Sequence, residues 1–288
     1  MNLKSKAETF GKLHSGGRIL VLPNVWDVAS ARIVEAAGAT AIATTSAGVA
    51  NALGYADGQQ ISRDLMMDAA ARIARSVSVP VTVDAEAGYG PRPEDAAETA
   101  RRVIAAGAVG MNFEDGTGDP SNPLFSIEQQ VARIRAVRGV AAATDVPLVL
   151  NARTDVFLEA VGAPETRFAE AVRRANLYRE VGADCLFVPG VTDAKVIAEL
   201  VRSIRGPLNV LAGPGMPPVA ELQRLGVARV STGSAFMRIC FAKARDVAHD
   251  ILTAGTWQSL LDNTIPYREM NDLVVQRLGD HGEPAETG

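Results

Sequence analysis

Gly38-Ala-Thr-Ala-Ile42, Gly107-Ala-Val-Gly-Met111, Gly182-Ala-Asp-Cys-Leu186 and Gly226-Val-Ala-Arg-Val230 repeat one pattern, a glycine followed at once by a short apolar run. Glycine suits the left-handed position that ends a helix, so each segment reads as a helix stopping and a strand starting. Between them stand Val79-Pro-Val-Thr-Val83, Val146-Pro-Leu-Val-Leu150 and Gly206-Pro-Leu-Asn-Val210. Proline can open a strand but has no N–H to donate from its middle. Adding an opening strand over Arg18–Leu22 gives eight short strands, beginning near residues 18, 40, 81, 109, 147, 184, 208 and 228. Helical patterning fills the gaps, over roughly 29–37, 62–76, 93–106, 126–143, 166–181, 193–203, 218–225 and 234–252, and resumes over 257–278.

Apolar strands alternating with helices belong to a parallel sheet covered on both faces. Eight units favour closure into a (β/α)8 TIM-type barrel over an open doubly wound sheet. No Gly-rich dinucleotide fingerprint follows the first strand, where Leu22-Pro-Asn-Val-Trp-Asp27 stands instead. Residues 1–252 therefore read as a barrel catalytic domain, 253–280 as a C-terminal helical extension and 281–288 as a disordered tail. At 288 residues and 47% hydrophobic, the chain can bury a large core. A net charge of −4 offers no basic surface for nucleic acid or an anionic membrane. No run approaches the roughly 20 apolar residues of a membrane span, so the expected setting is cytoplasmic and the expected partner a small molecule. Cys185 and Cys240 lack ligand spacing and read as core residues.

The chemistry gathers where strands end: Thr44-Thr45-Ser46, Asp84-Ala85-Glu86, Asn112-Phe113-Glu114-Asp115, Asn151-Ala152-Arg153 and Ser231-Thr232-Gly233. That rim carries the active site in barrels of this kind. Strand alternation gives Thr82, Asp84 and Glu86 a shared face, as it does Asn112 with Glu114 and Asn151 with Arg153 and Asp155, so all three sets can point into one mouth. Several carboxylates in one mouth repel one another unless a cation sits among them, and an oxygen-only set suits Mg²⁺, or Mn²⁺, over zinc. Asp84 is expected to bind it directly, with Glu86 and Glu114 acting through water. Arg153 could clamp a substrate carboxylate bidentately, or pair with Glu114. Thr44-Thr-Ser-Ala-Gly-Val49 offers hydroxyls and an open backbone to an anion. The three histidines and five lysines all lie away from strand ends, against a His-caged metal and a Schiff-base lysine.

Val83-Asp-Ala-Glu-Ala-Gly-Tyr-Gly90, Asn112-Phe-Glu-Asp-Gly116 and Asn151-Ala-Arg-Thr-Asp155, in this order on successive strands, resemble the isocitrate lyase and phosphoenolpyruvate mutase superfamily. Pro23-Asn-Val-Trp-Asp-Val-Ala-Ser-Ala-Arg32 is similar to its opening motif, and Asn271 falls in a segment like its C-terminal helix. The resemblance implies a barrel, Mg²⁺ and 2-oxo acid or enolpyruvate chemistry. Carried over position by position, it implies that Asp84, Glu86 and Glu114 organise the metal. Trp26, Thr45, Ser46, Ala47, Gly48, Arg153 and Asn209 would bind substrate, and Asp57, Asn122 and Arg153 would be catalytic. It also implies a homo-oligomer, dimer or tetramer, whose C-terminal helices are swapped between subunits.

One loop departs from the pattern. Where the lyases carry Lys-Lys/Arg-Cys-Gly-His, this chain reads Gly116-Thr-Gly-Asp-Pro-Ser-Asn-Pro-Leu-Phe125, with no Cys, His or Lys. The expected function is an Mg²⁺-dependent lyase, decarboxylase or hydrolase acting on a small 2-oxo or 2-hydroxy acid through an enolate. The alternatives are a phosphomutase or phosphonopyruvate-type enzyme working on a carbon–phosphorus bond, and a 2-oxo acid binding protein without turnover.

Overall fold

The computed structural model describes residues 2–275; the expected tail at 281–288 and the end of the extension lie outside the described residues. Among those residues, nine parallel strands form one sheet in the order β1-β9-β8-β7-β6-β5-β4-β3-β2. They are β1 (Leu20–Leu22), β2 (Asn24–Val25), β3 (Ile42–Thr44), β4 (Val81–Asp84), β5 (Gly110–Glu114), β6 (Val149–Arg153), β7 (Cys185–Phe187), β8 (Leu208–Leu211) and β9 (Arg229–Ser231). The helices are α1 (Leu3–Leu13), α2 (Val28–Ala36), α3 (Ser46–Ala52), α4 (Arg63–Ser76), α5 (Pro93–Ala105), α6 (Ile127–Ala143), α7 (Pro164–Glu180), α8 (Ala194–Ser203), α9 (Val219–Leu225), α10 (Ala235–Ala254), α11 (Gln258–Leu261) and α12 (Tyr267–Val274).

The ninth strand is the first one broken in two. β1 pairs with β9 and β2 pairs with β3, so the ladder changes partner at Pro23, the residue that lacks an N–H. Asn24 stitches the seam: its Nδ2 donates to Thr44 O at 2.7 Å, and its Oδ1 accepts from the N–H of Thr232 at 2.8 Å and of Gly233 at 2.9 Å. The barrel of eight βα units is thereby closed, as the glycine and proline punctuation predicts. The four helix-ending glycines, Gly38, Gly107, Gly182 and Gly226, all have φ between 87° and 109°.

Outward-facing strand residues such as Ile42, Val83, Met111, Leu150, Leu186 and Val210 pack with Met66, Ile73, Val103, Val137, Ile197 and Leu222 of the helices in the main core. A second cluster fills the base of the barrel. There α1, which the strand-and-glycine reading leaves out, sends Ala7 and Phe10 against Leu20, Leu22, Ala41, Ala43 and Val149. A Cβ on Gly110 would stand 2.6 Å from the Phe10 ring, so only glycine lets the plug seat. His14 ends the same helix, its Nδ1 2.9 Å from Phe10 O, and burial pushes its pKa down to about 4. It is a neutral core histidine.

At the other end α10–α12 follow the barrel, and α12 lies back on α2, with Arg32 Nε donating to Leu273 O at 2.7 Å. Cys185 is buried as expected, but Cys240 is exposed, because it sits on a face of α10 that no barrel element covers. Among the described residues no helix is long and apolar enough to cross a membrane.

Candidate active site

The C-terminal rim of the strands surrounds a cavity of about 390 Å³ whose wall includes Ser46, Asp57, Gln59, Glu86, Glu114, Arg153, Asp155 and Glu159. Asp84 ends β4 and lies beneath Ser46. Its Oδ2 accepts from the Ser46 N–H at 3.0 Å and the Ser46 hydroxyl at 2.8 Å, while its Oδ1 accepts from Asn112 Nδ2 at 3.3 Å. Its own N–H donates to Thr44 Oγ1 at 2.9 Å. Three donors thus orient one carboxylate on adjacent strands, and the register that aligns Asp84 with Asn112 and Asn112 with Asn151 sets the geometry.

β4 stops at Asp84, and Glu86 follows with φ of +46°, a left-handed conformation costly for a non-glycine residue. Glu86 therefore reaches the cavity through a turn, not through strand alternation. Its Oε2 accepts from the Gln59 N–H at 2.5 Å, and its Oε1 lies 3.4 Å from Tyr89 OH. Burial, then the charges of Asp84 and Asp57, push the Glu86 pKa up to about 7. The turn is held from behind by Arg133 of α6, fully buried, with its guanidinium 4.8 Å from the Phe113 ring and 4.0 Å from that of Phe125. Arg133 Nη2 donates to the carbonyls of Ala87 and Gly90.

Arg153 pairs with Glu114, as its position allows, and with Asp155 as well. Nη1 donates to Glu114 Oε1 at 2.5 Å and Nε to Asp155 Oδ1 at 2.6 Å, with side chains 17%, 14% and 4% exposed respectively. Burial holds Glu114 well above the usual carboxylate range and Asp155 at about 6, against the opposing pull of Arg153. Asp115 anchors the adjoining loop: its Oδ2 accepts from Tyr178 OH at 2.7 Å and from Arg174 Nη1 at 3.0 Å, and its Oδ1 accepts from the Asp155 N–H at 2.9 Å. Arg174 Nη1 also reaches Phe125 O at 2.9 Å, so both ends of the 116–125 loop are tied to α7.

Of the residues expected to carry function, the cavity wall brings together Ser46, Asp57, Glu86, Glu114 and Arg153, with Asp84 immediately below. Thr45 caps α3, its Oγ1 accepting from the Gly48 N–H at 3.5 Å, and Ala47 is the second residue of that helix. The stretch read as an open loop is thus a short helix. A Cβ on Gly48 would lie 2.9 Å from Trp26 Cβ, and Trp26 stacks edge-on against Phe236 and Phe241. Trp26, Thr45, Ala47 and Gly48 do not line the cavity; Trp26, Thr45 and Gly48 pack as the support beneath Ser46. Asn209 is buried level with Arg229, its Nδ2 3.5 Å from Ser231 Oγ, and Asn122 is exposed on a loop whose neighbours Pro120 and Pro123 line the cavity while it does not. Asp119, Leu158 and Glu159, which strand-end reasoning passes over, complete the wall. Only Glu159 carries a local signal, being one helical turn beyond Asp155, whose carbonyl its N–H contacts at 2.8 Å.

The lining carboxylates are Asp57, Glu86, Glu114, Asp119, Asp155 and Glu159, against the single guanidinium of Arg153. This all-oxygen set, only partly compensated by Arg153, fits a hard dication. Among the described residues no three His, Cys, Asp or Glu side chains are arranged to enclose one by themselves.

The phosphoenolpyruvate phosphomutase family model matches residues 10–252. The chain belongs to the isocitrate lyase and phosphoenolpyruvate mutase superfamily. Among superfamily relatives, an uncharacterized protein of Mycobacterium tuberculosis strain H37Rv is 34% identical over 267 residues, covering 93% of this chain and 96% of that protein. The 2-methylisocitrate lyase of Escherichia coli K12 is 29% identical over 287 residues, covering 95% and 94%. A structure of oxaloacetate acetylhydrolase with its product oxalate superposes with a TM-score of 0.83 at 25% identity, covering 94% of each chain. Superfamily membership therefore rests on nearly the whole barrel, and it makes the chain an enzyme of a lyase and mutase superfamily.

Proposed function

We propose that this superfamily member cleaves a carbon–carbon bond in a small 2-oxo or 2-hydroxy acid with the help of Mg²⁺ or Mn²⁺. The observation that carries this reading is the cavity wall, which sets several carboxylates beside one arginine at the strand ends. Asp84, Glu86 and Glu114 are the residues that would hold the cation, Asp84 by direct contact. When bound, the cation supplies Lewis-acid neutralisation of the charge that builds on an enolate. Arg153, fixed by Glu114 and Asp155, orients the acid carboxylate against the Ser46 end of α3. Asp57, whose pKa burial raises and whose Oδ1 lies 3.5 Å from Ser46 Oγ, is the proton-carrying group. At about 390 Å³ the cavity is at the small end of ligand sites, which span roughly 300–1,000 Å³.

The second reading, a phosphomutase or phosphonopyruvate-type activity, is favoured by the family model's own description. It is disfavoured by the charge balance, because a migrating phosphoryl group would meet carboxylates and no lysine. Proton and phosphorus NMR of the protein with Mg²⁺ and, separately, oxaloacetate, 2-methylisocitrate, isocitrate and phosphonopyruvate tests the choice. Pyruvate, succinate, glyoxylate or oxalate is the expected product class. A phosphate ester or free phosphate from phosphonopyruvate would replace this reading with the second, and ligand-induced stabilisation without turnover would indicate a 2-oxo acid binding protein.

We also infer a homo-oligomer. Ile239, Leu252, Trp257, Leu261 and Tyr267 of the α10–α12 region are each more than half exposed, a concentration of large apolar side chains that a soluble monomer rarely leaves open. A second copy of the chain would cover it. Light scattering should return a multiple of the 30.3 kDa chain mass, and a monomer at micromolar concentration would defeat the inference.

A further inference from the structure

Arg229 is a fully buried arginine inside the barrel that forms no ion pair among the described residues, although the charge of Asp84 favours its protonated form. Among the described residues its side chain makes one hydrogen bond, from Nη2 to Asn112 Oδ1 at 3.2 Å, while its Nε and Nη1 have no partner. Burial lowers its pKa to about 10, which leaves it charged at neutral pH. A guanidinium so placed is expensive to bury, and a hydrophobic side chain of similar volume would serve the fold as well or better. What it touches is therefore the question.

Asn112 Oδ1 also accepts from Asn151 Nδ2 at 2.8 Å. A guanidinium has only donors, so whichever end of the Asn112 amide faces Arg229 must be the oxygen. The NH₂ end is then obliged to face Asp84 Oδ1, where it stands at 3.3 Å. We propose that Arg229 is a positioning residue: acting through Asn112, it locks the amide that holds the Asp84 carboxylate, the proposed ligand of a divalent cation. Resting on the proposed role of Asp84, the inference adds a residue two contacts away, on the opposite side of the barrel interior.

Mn²⁺ binding, read by loss of the free-ion EPR signal, tests it without turnover. Arg229→Met should bind Mn²⁺ about tenfold more weakly than wild type, in the range seen when outer partners of metal ligands are removed. Its melting temperature should stay the same or rise. Arg229→Lys, which keeps a charged donor, should recover affinity to within about threefold of wild type. Asp84→Ala is the control and should abolish binding. If Asp84→Ala loses Mn²⁺ while Arg229→Met binds it as wild type does, the positioning role is wrong and the site assignment stands. If wild type fails to bind, or Asp84→Ala binds normally, both fall. An Arg229→Met protein that is unfolded, or that melts more than about 10 °C lower, would make the guanidinium a structural element and overturn the inference as well.

Discussion

Replacing Asp84 with alanine is expected to lower Mg²⁺-dependent turnover by about 10³-fold or more while the protein keeps its fold. The physical reason is asymmetric. For function, Asp84 is the proposed direct ligand of the cation, and both of its oxygens are held in place by Ser46 and Asn112. Losing several kcal/mol of charge stabilisation in the transition state corresponds to about three powers of ten in rate. For stability, Asp84 shares its surroundings with Asp57 and Glu86, both of whose pKa values it helps raise. Removing it relieves that repulsion and leaves three donors without their acceptor, opposing changes of about 1–3 kcal/mol each. The melting temperature should therefore move by no more than about 5 °C. The checks are steady-state rates on whichever acid the wild type consumes, and thermal unfolding without metal. Normal turnover by the variant would remove Asp84 from the site.

The barrel was readable because its punctuation is chemical: glycines that must be left-handed and prolines that must open strands leave marks independent of tertiary context. Pro23 shows where that logic stops. A proline argues against a strand, yet here the strand continues through it, since the ladder trades one partner for another at that residue and no N–H is missed. The plug helix α1 carries a helical spacing of its own in Leu3, Ala7, Phe10 and His14, a signal hidden when the N-terminus is read only for targeting. In the site, Asp84, Glu114 and Arg153 follow from alternation along strands. Glu86 arrives in the same mouth for another reason, a left-handed turn, so period-two reasoning brings it to the cavity by the wrong route. Arg133 could not be read at all. A lone arginine in a helix looks solvated, and its burial depends on Phe113 and Phe125 closing over it from other elements.

The largest stability effect in the site should come from Arg153→Met, and its signature is the pH dependence. In the native protein Glu114 and Asp155 sit above their ordinary pKa values even with Arg153 beside them, because burial outweighs the attraction. Removing the guanidinium takes away the charge that lowers both and raises them further. A carboxyl whose folded pKa exceeds its unfolded value binds more protons folded than unfolded across the interval between the two. Stability therefore falls as pH rises through that interval, from near 4 upward. For wild type the interval reaches at least about 6 for Asp155; for the variant it extends higher. At pH 8 the variant must keep two uncompensated carboxylates in a buried rim, and breaking a buried pair in this way costs about 3–5 kcal/mol. At pH 5 both can be protonated at little cost, so most of that loss should disappear. Urea unfolding at pH 5 and pH 8 reads the difference directly, and an equal loss at both values would mean that Arg153 contributes through packing on Phe187, 5.6 Å away, and not through charge. Arg153→Lys separates the two roles of the residue. It returns a cation to the carboxylates and should recover much of the stability at pH 8, but a single ammonium cannot hold Glu114 and Asp155 in the planar fork that, on the proposed function, would also present to an acid substrate. Turnover should stay low in the lysine variant, which would place the value of the arginine in its geometry as well as its charge.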